Sequence, residues 1–278
     1  MNSTLLPFKL PDRIYGGYIF DLDGTIYLGG EVLPGVLTLM RSLRSARREI
    51  VFLSNNPTRD HGQYLEKLRA LGIDAQSKEV ITTVDTTSDW ILRNAPGAVV
   101  FPIAEEPLIR GLQKRGIEIS EDPGRIDIVV ASYDRTLTWK KLQIAFEAIW
   151  YHRRARLIAT NPDRFCPFPE GRGEVDAGAV IAALENVCGT TVEVNCGKPG
   201  KVMIDTILAS RKLSRDQWLL TGDRLSTDIQ MGINSDIDTA LVFTGETSRE
   251  MLAQTSTVQR PQWNVERIDQ IFPRHVQS

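Results

Sequence analysis

Little in this chain favours a disulfide framework, a membrane span or a nucleic-acid footprint. Its three cysteines, Cys166, Cys188 and Cys196, form an odd set with no CxxC spacing, so neither a full set of bridges nor a zinc clamp is indicated. The expectation is free thiols in a reducing compartment, with the cytoplasm as the default. No apolar run approaches the roughly 18 residues of a membrane-helix candidate. The opening MNSTLLPFKLPDR is too briefly apolar for a secretory signal, and Pro7 interrupts it. Cations are not in excess: 33 Lys and Arg face 35 Asp and Glu, a formal charge of -2 with the signs mixed along the chain. A nucleic-acid partner calls for clustered excess cation. Histidine is scarce, and His61, His152 and His275 fall outside every motif below, which suits surface or capping positions. Gly/Ser linkers, internal repeats and low-complexity segments are lacking as well.

What is present is an ordinary globular composition, 278 residues with 42% hydrophobic and 24% charged. The length suits about two domains at roughly 150 residues each. Short apolar runs alternate with amphipathic stretches almost from end to end. The strand candidates are 18–22, 49–54, 98–103, 126–132, 156–160, 191–196, 217–222 and 239–245, rich in Val and Ile and flanked by Gly, Pro or Asn. Helical spacing joins Val36, Met40 and Leu43, and again Leu142, Ala145, Phe146 and Ile149. This alternation predicts an α/β fold with a largely parallel sheet. The basic cluster from Arg41 to Arg48 reads as the solvated, cation-rich end of a helix.

Four segments carry chemistry. Asp21-Leu22-Asp23-Gly24-Thr25 ends the first strand, where open α/β sheets bind ligands. Period-two alternation puts Asp21 and Asp23 on one side, and two neighbouring carboxylates call for a compensating hard cation such as Mg²⁺. Ser54-Asn55-Asn56-Pro57 ends the 49–54 run and offers a hydroxyl and backbone N–H groups to phosphate oxygens, or else a helix cap. Gly197-Lys198-Pro199-Gly200 follows the 191–196 run and holds a lysine on a short turn, without the pattern of a Walker A loop. Thr221-Gly222-Asp223-Arg224-Leu225-Ser226-Thr227-Asp228 places Asp223 just past a strand and Asp228 at a helix start. The four make one site if their strands are neighbours in one sheet.

In that order, DLDGT, SNN, GKP and GDRLSTD resemble the four motifs of the haloacid dehalogenase superfamily. The 142-residue step from Asn56 to Lys198 resembles the class-two cap insertion of its NagD-like phosphatases. The resemblance implies a Rossmann-like parallel-sheet core of residues 1–95 and 194–278, with an inserted smaller α/β cap at 96–193. It assigns Asp21 as nucleophile on phosphorus and Asp23 as the acid, then base, of a two-step displacement through an aspartyl phosphate. It gives Ser54, Asn55 and Lys198 to the phosphate. Mg²⁺ falls to the Asp21 carboxylate, the Asp23 backbone carbonyl and the Asp223 carboxylate, with Asp228 behind them orienting a metal-bound water. A phosphate dianion and three ionised aspartates outweigh Mg²⁺ and Lys198, so Asp23 enters the reaction protonated.

An acid at position 23 fits phosphatases and mutases rather than dehalogenases or ATPases of the superfamily, and the cap argues against a mutase. The 161–171 segment resembles the cap loop that meets the substrate. There Arg164 and Phe165, together with Tyr133 of SYDRT, are the candidate specificity contacts; the alternative has Phe165 and Phe168 packing the loop. Cys166 stands where pyridoxal phosphatases carry histidine. Trp139 and Trp150 suit packing in the cap core or a homodimer formed through the cap. The implied activity is hydrolysis of small phosphorylated metabolites, of sugar phosphate, phosphoglycolate or nucleoside monophosphate type, with no nucleic acid or membrane as partner. The rivals are a phosphotransferase and a phospho-accepting signalling domain that uses the same aspartate.

Overall fold

Apolar runs too short for helices become strands, and the stretches between them, apolar on one face, become helices that cover the sheets. A computed structural model describes residues 5–167 and 171–273. The chain begins with β1 (Gly17–Asp21), β2 (Tyr27–Leu28), β3 (Glu31–Val32), α1 (Val36–Ser45), β4 (Glu49–Ser54), α2 (His61–Ala70), β5 (Val80–Thr82) and α3 (Thr83–Asn94). It continues through β6 (Val100–Ile103), α4 (Glu106–Lys114), β7 (Ile128–Ala131), α5 (Trp139–Phe146), β8 (Arg156–Ala159), β9 (Phe165–Pro167), β10 (Gly173–Val175) and α6 (Ala177–Cys188). It closes with α7 (Val202–Ala209), β11 (Trp218–Gly222), α8 (Gln230–Asn234), β12 (Asp238–Val242), α9 (Arg249–Gln254) and β13 (Trp263–Val265). Contacts divide the chain into two compact units: Met1–Ser54, Tyr64–Ile81 and Ile207–Ser278 form the first, and Asn55–Gln63 with Thr82–Thr206 form the second.

The first unit is built on a six-stranded sheet in the order β13-β12-β11-β1-β4-β5, with parallel pairing from β13 through β4. Burial of whole strands such as Gly17–Asp21 and Trp218–Gly222 follows from cover on both faces. Val36, Leu39, Met40 and Leu43 of α1 bury the expected stripe and pack with Tyr18, Phe20, Phe52 and Ile271, each large side chain worth about 1.5–3 kcal/mol. The basic end of α1 is only partly solvated, because Arg44 pairs with the buried Glu79.

The second unit has a smaller parallel sheet, β6-β7-β8. Alternation divides its side chains cleanly: Val129, Ala131, Leu157 and Ala159 face one core with Ala145 and Leu184, while Ile128, Val130 and Ile158 face another with Val84, Ile91, Leu108 and Leu112. That second core carries α3 into this unit, so residues 82–95 and 194–206 group with the middle of the chain rather than outside a 96–193 insertion. The 191–196 run pairs with neither strand that borders β1. It lies alongside β8, through Glu193 N–H to Leu157 O and Cys196 N–H to Ala159 O, both at 2.8 Å. The expectation that four motif-bearing strands share one sheet is therefore corrected to three.

Packing of Trp139 and Trp150 into a cap core is also corrected, since they are 80% and 49% exposed. Trp150 instead stacks on Phe146 at 5.2 Å between ring centroids. Cys166, Cys188 and Cys196 are free thiols, as expected. Among the described residues no helix is long and apolar enough to cross a membrane. His275 lies outside the described residues.

Candidate active site

Parallel pairing makes β1, β4 and β11 end together. Asp21 is the last residue of β1 and Ser54 of β4, and Asp223 follows Gly222 at the end of β11. Because β1 ends at Asp21, strand alternation does not extend to Asp23. A tight turn takes over, in which Leu22 O accepts from the N–H groups of Thr25, Ile26 and Tyr27, and Gly24 N–H donates to Tyr27 O at 2.8 Å. The turn leaves Leu22 in the core and Asp23 exposed. A carboxylate oxygen of Asp23 accepts a hydrogen bond from the Tyr27 hydroxyl at 3.4 Å.

Asp21, Asp223 and Asp228 converge, with one oxygen from each lying within 4.8 Å of the others, and all three are buried. Asp23 contributes no side-chain oxygen to that group, whereas Asp228, expected behind the ligands, does. Glu246 N–H donates to Asp223 Oδ2 at 2.7 Å, and Arg224 N–H to Asp228 Oδ2 at 3.2 Å. Two glycines make room for the carboxylates. Gly24, at φ 84°, would put a Cβ 2.7 Å from Asp223 Oδ2, and a Cβ on Gly222 would collide with the Asp228 side chain. Burial works against the charge of the Arg224 guanidinium, but Asp223, Glu246, Asp21 and Asp228 prevail and raise its pKa. One guanidinium beside three buried carboxylates leaves negative charge to neutralise. An all-oxygen donor set suits a hard divalent cation such as Mg²⁺ or Ca²⁺. These residues fit such an ion.

Ser54 is buried and donates to Tyr64 Oη at 2.7 Å. Asn55 and Lys198 come together in the second unit. Asn55 Oδ1 accepts from Lys198 N–H at 2.7 Å, and its Nδ2 donates to Asp163 Oδ2 at 2.8 Å. The backbone oxygen of Asn55 accepts from Thr83 Oγ1 and Asn161 Nδ2, both at 3.2 Å. Lys198 is buried, with 3% of its surface exposed. With its side-chain amide engaged in this way, Asn55 ties the Lys198 loop to Asp163.

The three cap candidates differ from one another. The Tyr133 ring is buried and its hydroxyl donates to Glu174. Burial, with Glu174, pushes its pKa above the ordinary phenol value. Arg135, paired with Glu105 at 2.7 and 2.8 Å, lies over the Tyr133 ring. Arg164 is exposed, and Phe165, at 55% exposure, lies beside Gly173 of the facing strand. Phe165 begins the β9–β10 hairpin, in which Cys166 faces Glu174. Residues 168–170, with Phe168, lie outside the described residues. Sequence reasoning passed over Tyr27, Asp163 and Arg224. Arg224 and Asp163 sit inside quoted motifs, and Tyr27 lies four residues from Asp23, but no spacing rule singles them out.

Two family profiles match the chain, one described as haloacid dehalogenase-like hydrolase over residues 18–118 and one of HAD-like hydrolases over residues 195–271. The acid sugar phosphatase of Staphylococcus saprophyticus is 32% identical over 242 residues, 87% of this chain and 92% of that one. Among solved structures, 4-nitrophenylphosphatase from Thermotoga maritima superposes with a TM-score of 0.86 at 31% identity, covering 92% of this chain and 96% of that one. Glycerol phosphate phosphatase from Mycobacterium tuberculosis, solved with magnesium, gives a TM-score of 0.82 at 26% identity, covering 96% of this chain and 79% of that one. The chain belongs to the haloacid dehalogenase-like hydrolases. Its branch is that of the NagD-like phosphatases, enzymes that hydrolyse phosphoric monoesters.

Proposed function

We propose that this enzyme is a Mg²⁺-dependent phosphatase of small phosphomonoesters that works through an aspartyl phosphate. The observation that carries the reading is the buried carboxylate group of Asp21 and Asp223, at the ends of the adjoining parallel strands β1 and β11, and Asp228, on the turn of residues 225–229. A cation bound by these residues, with the Asp23 backbone carbonyl as a further ligand, supplies charge neutralisation to the carboxylates and the incoming phosphate. Asp21 attacks phosphorus as the ester P–O bond breaks, and Asp23 gives its proton to the departing alcohol oxygen. Asp23 then takes a proton from water as the water oxygen attacks phosphorus. The bond between phosphorus and Asp21 breaks, inorganic phosphate leaves and the carboxylate is restored. Such acid–base help is worth about 10²–10⁴-fold. Ser54, the Asn55 backbone and Lys198 take the phosphate oxygens.

Sugar phosphates head the substrate class, supported by the acid sugar phosphatase relative; phosphoglycolate and nucleoside monophosphates follow. Residues 96–193 serve as the cap, with Tyr133, Arg164 and Phe165 contributing to selection and a homodimer forming through it. The free cysteines support a cytoplasmic location. Phosphate release from a panel of phosphorylated metabolites, with Mg²⁺ or excess chelator, for wild type and Asp21→Asn, tests the reading. Metal-dependent release that vanishes in Asp21→Asn is expected. No release from any ester by folded, metal-loaded protein would overturn it and favour the phosphotransferase or phospho-accepting role.

A further inference from the structure

Tyr27 is fully buried and nonetheless reaches the exposed carboxylate of Asp23 with its hydroxyl, at 3.4 Å. Its backbone is held on the same turn, by Gly24 N–H to Tyr27 O at 2.8 Å and by the pairing of Asp23 with Tyr27. The other face of the contact is electrostatic. Lys67 of α2 sits with Nζ 3.5 Å from the centroid of the Tyr27 ring. A cation over a phenol ring draws electron density from it and makes the O–H a better donor. A buried ring with a lysine over its face thus addresses one oxygen of the proposed proton donor.

From this geometry we infer that Tyr27, supported by Lys67, is a positioning residue for Asp23 in leaving-group protonation. The inference rests on the proposed phosphatase reading. With Asp23 Oδ2 fixed by the Tyr27 hydroxyl, Oδ1 carries the proton and faces the departing oxygen. As the P–O bond breaks, the proton passes from Oδ1 to the alcohol oxygen, and the bonding pair of the old P–O bond stays on that oxygen. The carboxylate left on Asp23 is stabilised at Oδ2 by the same phenol, since hydrogen bonds strengthen when the acceptor becomes charged. Tyr27 gives up no proton in this step.

The consequence is a dependence on the leaving group. A primary alcohol departs poorly as an alkoxide and needs the proton. 4-Nitrophenolate spreads its own charge and needs it little. The measurement is kcat/KM, which reports the steps through alcohol release, for an alkyl phosphate such as glycerol phosphate and for 4-nitrophenyl phosphate. It is made on wild type, Tyr27→Phe, Lys67→Met and the pair Asp23→Ala and Asp23→Ala/Tyr27→Phe. Tyr27→Phe is expected to lose about tenfold or more on the alkyl ester, as for a lost hydrogen bond to a charged group, and under about threefold on the nitrophenyl ester. Lys67→Met shifts the ratio in the same direction by about two- to fivefold. In the Asp23→Ala background Tyr27→Phe costs nothing further. Equal losses on both esters, or none, would overturn the inference while leaving the phosphatase reading in place. A wild type that releases phosphate from neither of these esters nor from any other in the metabolite panel would overturn both. Should Tyr27→Phe fail to fold, the ratio in Lys67→Met decides, because that partly exposed side chain lies off the core.

Discussion

The two units fix their functional groups by different means. In the first, three parallel strands end side by side, and the register of β1 against β4 and β11 delivers Asp21, Ser54 and Asp223 to one edge. No single side chain decides their placement, since a whole buried sheet does. In the second, Lys198 stands on a loop after the 191–196 run, and a few hydrogen bonds centred on Asn55 hold it. A sheet-delivered group should therefore lose only its own chemistry when replaced. A loop-delivered group should also be displaced by changes in neighbours that never touch the substrate.

The largest effect sharpens the first half of that contrast. Asp21→Asn should lower kcat by at least about 10³-fold, as removal of a nucleophile does, with secondary structure and cooperative unfolding intact. Loss of folded structure instead would mean that the carboxylate itself holds the strand ends together.

Next in size is the metal. Mg²⁺ at 100 times its dissociation constant should stabilise the wild type by about 2.7 kcal/mol, read as a rise in Tm that excess chelator reverses. Asp228→Asn should weaken Mg²⁺ binding by at least about 10–100-fold, the usual cost of an outer-shell partner and the lower bound for a ligand. In chelator the same variant should melt no lower than wild type, because it relieves repulsion among three buried carboxylates. A lower melting point in chelator would show that Asp228 serves structure before metal.

Asn55→Ala tests the loop-held side. It removes the acceptor for Lys198 N–H and leaves buried partners unsatisfied, for about 1–3 kcal/mol. The expected reading is a raised KM and weaker inhibition by inorganic phosphate. An effect on kcat alone would place Asn55 with the reacting atoms rather than with the Lys198 loop.

The same contrast explains how much of the fold is legible in the sequence. Strands β1, β4 and β11 were legible because buried parallel strands are continuous apolar runs, and acids at their carboxyl ends stand out. The 191–196 run was legible as extended but not in its partner. TVEVNC can pair with any parallel edge, and only the position of β8 settles the choice. Strands β5, β9, β10 and β13 are three residues each, too short for periodicity to register. Asp228 was assigned behind the metal ligands by resemblance, whereas the turn of residues 225–229 brings its carboxylate beside Asp21 and Asp223. Tyr27 and Arg224 make their contacts across the turn and the sheet edge, and such contacts leave no spacing signal.

The smallest effect probes the segment that carries Asn55. His61, in the same short segment of the second unit, lies 3.8 Å through Nδ1 from Asp85 Oδ2 at the start of α3. The nearby Asp85 carboxylate raises the His61 pKa above 6.5, against burial, with Asp60 adding to the rise and Arg115 opposing it. A raised folded-state value means that the stabilisation is complete below pH 6.5 and fades as pH climbs through that raised value. Asp85 works in a separate window. Burial raises its pKa, but His61 and Thr82 outweigh that and depress it, so its contribution is present above pH 3.8 and is lost as pH falls through the depressed value. For a partly exposed pair the gain is at most about 1 kcal/mol. Melting curves from pH 6 to 8 should show wild type losing stability relative to His61→Gln as pH rises. Parallel curves would detach His61 from Asp85 and leave the 55–63 segment held by Asn55 and its partners.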